Sequence, residues 1–477
     1  MKRQHPIAIL RYTSKNFWLL LIPVIRGLRF LKYDFHGWIS GVYVDVIILL
    51  MIITAAVFRW YNVKYYINQN GIKIKNGVFI KRNSFIASDS ISIIKIGEYL
   101  HLKPFKAVII YLNTDIKSSW IRRKKTDIKL IVTLKEQQQI LNKMTTSKSD
   151  VTCGYKPSRK KIMLYAMLFS STVSGLIYFS TLVINGGTLV VDEIESRFII
   201  AVNNITTIAE KVIGKVSPFS VAAAVVIIAG WLISFFKICV RYINFKVERM
   251  KKTLIIENRF FSYRRYFIDV EKINCIDLKQ NFLMKICKVV SVNISCAGSR
   301  RNDVSAVIPV SRIKEATHIM KILLPEVPVK KIEIHPRKNC LVRFVALPVL
   351  FIYGVIAVAV TLTMIFPDWY RVIFFTALMA EIFLVNLYFS GLIEFYVCGI
   401  GFHEKYLTMK YRKFIQFHYI IIPYNKVISI KISQNIFQKR KNVCDVIIFE
   451  KNNNGSHRVK NINLCDLSKS ENRYCMK

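Results

Sequence analysis

The plainest candidates for chemistry in this sequence are two acids, Asp45 and Glu381, each lying well inside an apolar run. An ionised carboxylate at the centre of a membrane span costs roughly 2.5–3.5 kcal/mol on insertion scales. Such acids could relay protons or ions, or each could be a protonated or paired acid facing neighbouring helices, with Arg26 as one partner. The second interpretation is favoured because the middle pair of apolar runs has no such acid.

Basic clusters are the second candidate for a site. Near a membrane surface each Lys or Arg contributes about 1 kcal/mol of attraction to anionic lipid. The clusters could grip a specific headgroup, or simply lie beneath an anionic bilayer, which is the favoured interpretation. A nucleic-acid partner is not expected, because the chain shows neither a recognition helix nor a stacking platform. The residues concerned are Arg122, Arg123, Lys124, Lys125, Arg264, Arg265, Lys439, Arg440 and Lys441.

Catalytic and metal-binding motifs are missing from the sequence. It contains no P-loop, zinc-protease, nucleophile-elbow or dinucleotide-loop motif. The ten cysteines form no CxxC pair, which predicts reduced structural thiols. His5 and His335 each precede a proline, a pattern typical of the first turn of a helix. We therefore predict a non-enzymatic protein without a cofactor or metal; a membrane-bound enzyme would need convergent polar groups in one pocket.

Membrane spans and basic domains are the elements that must position these residues. The chain has 477 residues, a net charge of +42 and 53% hydrophobic residues. A span needs about 20 largely apolar residues. Bases are concentrated outside the apolar pairs, so the positive-inside rule predicts a multi-pass cell-membrane protein with cytoplasmic termini and domains. The predicted spans are Phe17–Leu31, Trp38–Phe58, Ile162–Asn185, Val216–Phe236, Phe344–Pro367 and Val372–Ile393.

A recurring pattern follows each pair of spans, at Ile86–Leu100, Ile268–Phe282 and Ile422–Ile436. The three copies share apolar residues at the first, sixth, ninth, eleventh and last positions, which indicates an internal repeat. The thirteenth position is Glu98, Gln280 or Gln434. Short alternating strands surround each copy, with Asn-Gly turns in the first. Closing helices are predicted at 135–144 and from Ser311, whereas the third copy ends in a short polar tail.

The predicted fold class is an α+β membrane protein with six transmembrane helices in three hairpins, each followed by a small β-barrel or sandwich domain with a capping helix. Apolar residues recur at helical spacing in the outer loop, predicting an amphipathic helix there. The predicted boundaries are a cytoplasmic N-terminus 1–16, hairpin 17–58, domain 59–152, hairpin 153–240 with outer loop 186–215, domain 241–330, hairpin 331–393 and domain 394–477.

The paired spans, the His-Pro steps and the stretch IPYNKVISIKISQNIF at 422–437, with its two counterparts, resemble bacterial membrane proteins with PH-like domains, of the YdbT type. The resemblance covers nearly the whole chain, although Lys156–Pro157 replaces His-Pro in the middle copy. It implies that each domain has a PH-like fold, a partly open barrel of about seven strands with a helix. It also implies a partner, a smaller single-hairpin PH-like membrane protein, and hence a hetero-oligomer.

We therefore expect an integral membrane scaffold or interaction protein with three cytoplasmic PH-like domains. Its expected partners are the smaller related membrane protein and membrane lipids, the anionic ones in particular. The alternative is a transporter or efflux component that uses Asp45 and Glu381. Ionisable residues gathered in one cavity would favour that alternative.

Overall fold

The computed structural model describes residues 1–15, 42–68, 70–77, 80–114, 128–144, 153–170, 196–208, 218–259, 262–296, 306–327, 329–413, 416–451 and 456–468. The predicted first span, Phe17–Leu31, lies outside these residues, as do Arg26 and the cluster at 122–125. Everything below concerns the described part of the chain.

Apolar helices occupy the described parts of the predicted spans. The helices are α1 Ala8–Lys15, α2 Val42–Asn62, α3 Leu134–Met144, α4 Arg159–Phe169, α5 at 196–208, α6 Pro218–Tyr242, α7 Phe282–Ile286, α8 Ile313–Leu323, α9 Val342–Ile365, α10 Tyr370–Val397 and α11 Ile436–Lys439. Three of them contain stretches long and apolar enough to cross a membrane: Val225–Tyr242, Val342–Ile365 and Thr376–Val397. A shorter apolar stretch, Val46–Asn62, lies in α2. Helix α5 falls where the outer-loop helix was predicted.

The strands fall into three groups with the same order of elements, which we call units 1, 2 and 3. Unit 1 contains β1 Lys2–Arg3, β2 Lys64–Asn68, β3 Gly71–Asn76, β4 Arg82–Ala87, β5 Ile91–Glu98, β6 Ala107–Thr114 and β7 Ile128–Thr133. Unit 2 contains β8 Cys153–Tyr155, β9 Phe245–Met250, β10 Thr253–Arg259, β11 Tyr263–Asp269, β12 Ile273–Asn281, β13 Val289–Cys296 and β14 Ile308–Arg312. Unit 3 contains β15 Gly399–Phe402, β16 Tyr406–Lys413, β17 Gln416–Pro423, β18 Val427–Ser433, β19 Val443–Glu450 and β20 Ser456–Asn463.

Two of the four sheets are shared between units. One runs β7-β6-β5-β11-β10-β9-β8 and the other β14-β13-β12-β17-β16-β15. The second sheets of units 1 and 2 therefore continue into the first sheets of units 2 and 3, respectively. The outermost sheets, β1-β2-β3-β4 and β18-β19-β20, belong to units 1 and 3 alone. In each unit the recurring pattern of the sequence runs from the last strand of the first sheet (β4, β11 or β17) to the first strand of the second sheet (β5, β12 or β18).

The two junctions have the same register. Ile94 lies opposite Phe267, and Ile276 lies opposite Ile421. Ile94 and Ile276 hold the ninth position of their copies of the pattern. Phe267 and Ile421 each precede the first position of the next copy, so the two junctions pair equivalent residues. Phe267 packs on the core of unit 1, and Ile421, fully buried, lies in the core of unit 2. Each junction is thus a continuous sheet with a side chain of one unit inserted into the core of another.

The segment before each hairpin returns to the first sheet of its own unit. β1 pairs with β2, β8 pairs with β9, and Ile334 forms a bridge with Ile400 on β15. His335 lies beside that bridge, with its Nδ1 atom 3.0 Å from the carbonyl oxygen of Cys398. At His5, the Nδ1 atom accepts a hydrogen bond from the amide of Ile7. Both histidines therefore make local contacts where a hairpin joins its unit.

The end of the second sheet is also built alike in all three units. Lys106, Lys288 and Asn442 have left-handed φ angles of 49°, 54° and 51°. Their carbonyl oxygens accept hydrogen bonds from the amides of Leu134, Ile313 and Leu464, respectively, which begin the closing helices. Residues 464–468 are helical. The third unit therefore begins a closing helix at the same position as the other two, although its polar tail gave only a weak signal in the sequence.

Candidate membrane-facing site

Each unit has a short helical turn directly after the first strand of its second sheet. The three turns, which we call the basal turns, are the 3₁₀ turn Leu100–Phe105, α7 and α11. Each exposes two large apolar side chains by more than half of their surface. These are Leu100 and Phe105, Leu283 and Ile286, and Ile436 and Phe437. Packing within the described chain does not explain why the corresponding turn of each unit exposes a pair of apolar side chains.

Basic residues accompany these apolar side chains. They are Lys103 and Lys106 in the first turn, Lys285 and Lys288 in the second, and Lys439, Arg440 and Lys441 in the third. Apolar side chains flanked by Lys or Arg suit the interface of a membrane, where the former enter the acyl boundary and the latter meet anionic headgroups. The arrangement can therefore anchor a domain on an anionic lipid surface.

The thirteenth position of the pattern braces two of these turns. The side-chain amide of Gln280 donates to the carbonyl oxygen of Val289 at 2.7 Å, and that of Gln434 donates to Val443 at 2.9 Å. Both bonds join the residue two positions before the turn to the first residue of the strand after it. The similarity that the sequence shows at this position thus has a structural cause.

All three basal turns lie at the base of a hairpin. Leu102 is buried in a cluster with Tyr12 and Ala56, which belong to α1 and α2. Asn281, which precedes α7, donates to the carbonyl oxygen of Leu168 on α4 at 3.3 Å. Lys441, which follows α11, donates to the carbonyl oxygen of Asn339 at 3.1 Å, three residues before α9 begins. Each turn is therefore held beside the helix that leads into its hairpin.

A cavity of about 370 Å³ lies next to the second basal turn, between unit 2, β16–β17 and the last turn of α10. We call it the lysine pocket. Its residues include Lys285, Lys330, Lys331 and Lys410, together with apolar and aromatic side chains and the α10 residues Glu394 and Val397. Because α10 contains a stretch able to span a membrane, the pocket lies where that stretch meets the sheets.

Lys285 is the most perturbed cation of the lysine pocket. Its Nζ atom is buried, has no hydrogen-bond acceptor among the described residues and lies 4.3 Å from the centre of the Phe417 ring. Burial, and then the charge of Lys410, lower the pKa of Lys285 to about 8. Burial also lowers the pKa of Lys410. Glu394 does not offset these charges, because it pairs with Arg412 at 2.7 Å. The pocket thus offers two desolvated ammonium groups to an anion with apolar chains.

The structure places the sequence-predicted basic residues in different settings. Arg264 and Arg265 lie on β11 within a shared sheet, where Arg265 pairs with Glu257 at 2.6 Å. Their guanidinium groups also lie near aromatic rings, that of Arg264 being 5.7 Å from the centre of the Tyr99 ring. Lys439, Arg440 and Lys441 are exposed at the third basal turn. Nothing in the sequence pattern had singled out Lys285 or Lys410, which are far apart in the chain.

The two acids of the apolar runs lie on different helices. Asp45 is on α2, with its side chain outside the described atoms, and Glu381 is on α10. The Glu381 side chain is half-buried, and one of its carboxylate oxygens has no hydrogen-bond partner among the described residues. The structure does not bring the two acids together with described ionisable residues in one cavity.

A buried polar cluster joins units 2 and 3. Cys275 on β12 donates to Glu450 at 3.2 Å, Glu450 pairs with His457, and His457 Nδ1 lies 2.7 Å from the Tyr411 hydroxyl. Beside it, Asp277 and His418 pair across the same junction at 3.0 Å. Cys, Glu and His are zinc-ligand types. Here Cys275 and His457 both contact Glu450 Oε1, so the three side chains form a hydrogen-bond network across the junction.

The cysteines are consistent with the predicted structural thiols. Those in the described residues are free rather than disulfide-bonded, and Cys275, Cys296, Cys340, Cys398 and Cys444 are buried. Burial raises the pKa of the Cys296 thiol to about 12. Because the thiolate is the reactive form, such a thiol is inert.

Paired apolar helices joined to small sheets that each close with a helix define a membrane protein with PH-like domains, and the chain belongs to the bacterial PH domain family. The sequence model of that family matches residues 19–144 and 198–327, together more than half of the chain. One relative is the UPF0699 transmembrane protein YdbT of Bacillus subtilis (strain 168). It is 20% identical over 359 residues, which cover 68% of this chain and 69% of the relative. No solved structure matches.

These comparisons confirm the resemblance that the sequence suggested. The chain is an α+β membrane protein with bacterial PH domains and several apolar helices. The family model matches units 1 and 2 and leaves unit 3 unmatched. The relative carries a name that describes a transmembrane protein and no reaction.

Proposed function

We propose that this protein is a non-enzymatic scaffold of the cell membrane, with six spans and three cytoplasmic PH-like domains that contact anionic lipid. The observation that carries the proposal is the recurrence of the basal turns. Each unit exposes a pair of apolar side chains that is flanked by Lys or Arg and lies where a hairpin meets its unit. This combination suits an anionic lipid surface. The proposed domain boundaries are those expected from the sequence, with β1 added to the first domain and β8 to the second because each pairs with the first sheet of that unit. Unit 3 counts as the third PH-like domain because its strands and closing helix follow the order of units 1 and 2.

Anionic phospholipid is the ligand class that suits the lysine pocket. A phosphate would supply the acceptors that Lys285 and Lys410 lack in an apolar setting, and the acyl chains would lie along the end of α10. A phosphate would accept charge-assisted hydrogen bonds, which are roughly twice as strong as neutral ones. A zwitterionic headgroup would also bring its own cation close to the two lysines, so the pocket favours an anionic phospholipid. The exposed bases of the basal turns add attraction that does not depend on headgroup type.

Lipid retention tests this part of the proposal. The full chain would be purified in mild detergent, and its bound phospholipids would be identified by native mass spectrometry. We expect retained anionic phospholipid in the wild type and its loss in Lys285→Met. Lys73→Met, at an exposed position on β3, is the matched control and should retain the lipid. Equal retention by Lys285→Met and the wild type would refute the role of the pocket.

The protein partner is the second part of the proposal. Family resemblance supports a smaller single-hairpin PH-like membrane protein, and a scaffold needs something to hold. Purification from native membranes in mild detergent, followed by mass spectrometry, should yield a small membrane protein in stoichiometric amount. Recovery of the chain with lipid alone would refute the hetero-oligomer and would favour the alternative function, transport through the spans.

A further inference from the structure

Two strand edges remain unfilled at opposite ends of the described chain. β5 and β12 each pair with a strand on both edges, and on one of those edges the partner belongs to the next unit. Their equivalent in unit 3, β18, pairs only with β19. At the other end β4 pairs only with β3, although its equivalents β11 and β17 pair on both edges. Among the described residues, the series of shared sheets therefore stops with two complementary edges.

Both edges expose apolar side chains where the junctions bury them. Ile432 is 40% exposed, whereas its equivalents Ile96 and Leu278 are 0% and 6% exposed. Phe85 is 62% exposed, whereas its equivalent Ile421 is fully buried. An exposed apolar edge strand is a template for pairing with another chain, and proteins normally cover or blunt such an edge.

We propose that β18 of one copy of this protein pairs in antiparallel fashion with β4 of a second copy, extending the series of shared sheets from chain to chain. Strand addition of this kind takes affinity from main-chain hydrogen bonds and specificity from alternate side chains. The occupant is a second copy because the chain itself carries the edge that fits, at the position equivalent to β11 and β17. The inference rests on the two junctions and stands independently of lipid binding.

The junctions also fix the register. Because the ninth position of one pattern faces the residue before the first position of the next, Ile430 should lie opposite Phe85 of the second copy. Lys431 should then lie opposite Ser84. Ile430 and Val427 already pack at the margin of the unit 3 core, so Phe85 would enter that core as Ile421 enters the core of unit 2. A slip of one residue would turn every side chain to the wrong face.

The interface joins two different surfaces, so it is heterologous. Such contacts close into rings when the rotation permits and otherwise extend as open filaments. Either outcome places several copies side by side in one membrane. A dimer joined through one such contact would still leave one β4 and one β18 edge unfilled.

Cysteine cross-linking in native membranes tests the register. Two differently tagged full-length chains would be co-expressed, one with Ser84→Cys and the other with Lys431→Cys, at exposed polar positions. Directly opposed residues of paired strands are close enough for a disulfide. Mild oxidation should yield a band carrying both tags. The control pair, Asn83→Cys with Lys431→Cys, is shifted by one residue and should give little of the two-tag band. Wild-type chains, which carry only the natural cysteines, should also give little of it.

An internal pair shows that the oxidation works. Asn281 and Gln416 oppose each other across the junction of units 2 and 3, so Asn281→Cys with Gln416→Cys should cross-link within one chain. If this pair reacts and Ser84→Cys with Lys431→Cys does not, the proposal is overturned. A cross-link from Lys431→Cys to a different protein would also overturn it, because β18 would then hold another occupant.

A charge on the edge gives a second test. Phe85→Asp should abolish the co-purification of two differently tagged copies of this chain, whereas Ile80→Asp should not. Ile80 is 71% exposed in unit 1 but lies outside β4, so it matches the change in polarity. Assembly that persists in Phe85→Asp would contradict the proposal. Lipid retention by both variants would show that the scaffold proposal survives independently.

Discussion

Replacing Ile421 by alanine tests whether the shared sheets are stabilised by side chains exchanged between units. Ile421 is supplied by unit 3, is fully buried and belongs to the core of unit 2. Removing most of a buried Ile side chain costs about 2 to 5 kcal/mol, because transfer free energy is lost and a cavity is left. Since the side chain lies at the junction, the loss should appear in the opening of β12 and β17 rather than across the whole chain.

Hydrogen–deuterium exchange measures that opening directly. At about 1.4 kcal/mol per factor of ten, amides of β12 and β17 should exchange at least about 30-fold faster in Ile421→Ala. Phe85→Ala is the matched control, since Phe85 occupies the equivalent position but is exposed; in detergent-dispersed single chains it should change exchange in β4 by little. Equal acceleration in both variants, or unchanged exchange in β12, would refute the exchange of core side chains between units.

Three further outcomes follow from the site. Lys285 is charged below its pKa of about 8, so the affinity for anionic lipid should be full well below pH 8 and should fall as the pH rises through 8. This fall should be absent in Lys285→Met. Lipid retention measured across that pH range checks the prediction, and a flat profile in the wild type would contradict it. Gln280→Ala and Gln434→Ala should each cost about 1 kcal/mol of local stability by losing the brace across a basal turn, measured by exchange in β13 and β19, and unchanged exchange would remove the brace from the account. A photo-crosslinking phenylalanine analogue at Phe437 should form lipid adducts detectable by mass spectrometry, whereas the same analogue at Ile80 should not; adducts at Ile80 alone would place the wrong surface on the membrane.

The strands and closing helices were predictable because their residues carry local signals. Alternating β-branched residues predicted β5, β6 and β7, and the helix predicted at 135–144 begins at Leu134. The helix predicted from Ser311 begins at Ile313, with the Ser311 hydroxyl donating to Glu315 at 2.7 Å. Even the repeat was visible, since the apolar residues at its first, sixth and ninth positions lie in or against a core in all three units.

The shared sheets and the lysine pocket were not predictable in the same way. Pairing between β5 and β11 joins edges far apart in the chain, and nothing local in either strand states which edge it will meet. The pocket gathers Lys285, Lys410 and the end of α10, whose proximity depends on that pairing. In the sequence, neither Lys285 nor Lys410 differs from the many other lysines of these basic domains. Exposure was equally hidden, because Ile286 and Met284 have similar hydropathy but face opposite ways.

Sharing a sheet between units also imposes an order on synthesis. When β5 has been made, its outer partner β11 is still about 170 residues away, roughly 10 to 35 s of elongation. During that interval the nascent chain carries an open strand edge, and the apolar stretch Val225–Tyr242 is made before the edge can close. Premature termination between β12 and β17 would release a product ending on an unfilled edge with a core side chain missing. These edges therefore close in turn, and the chain as a whole matures one junction at a time.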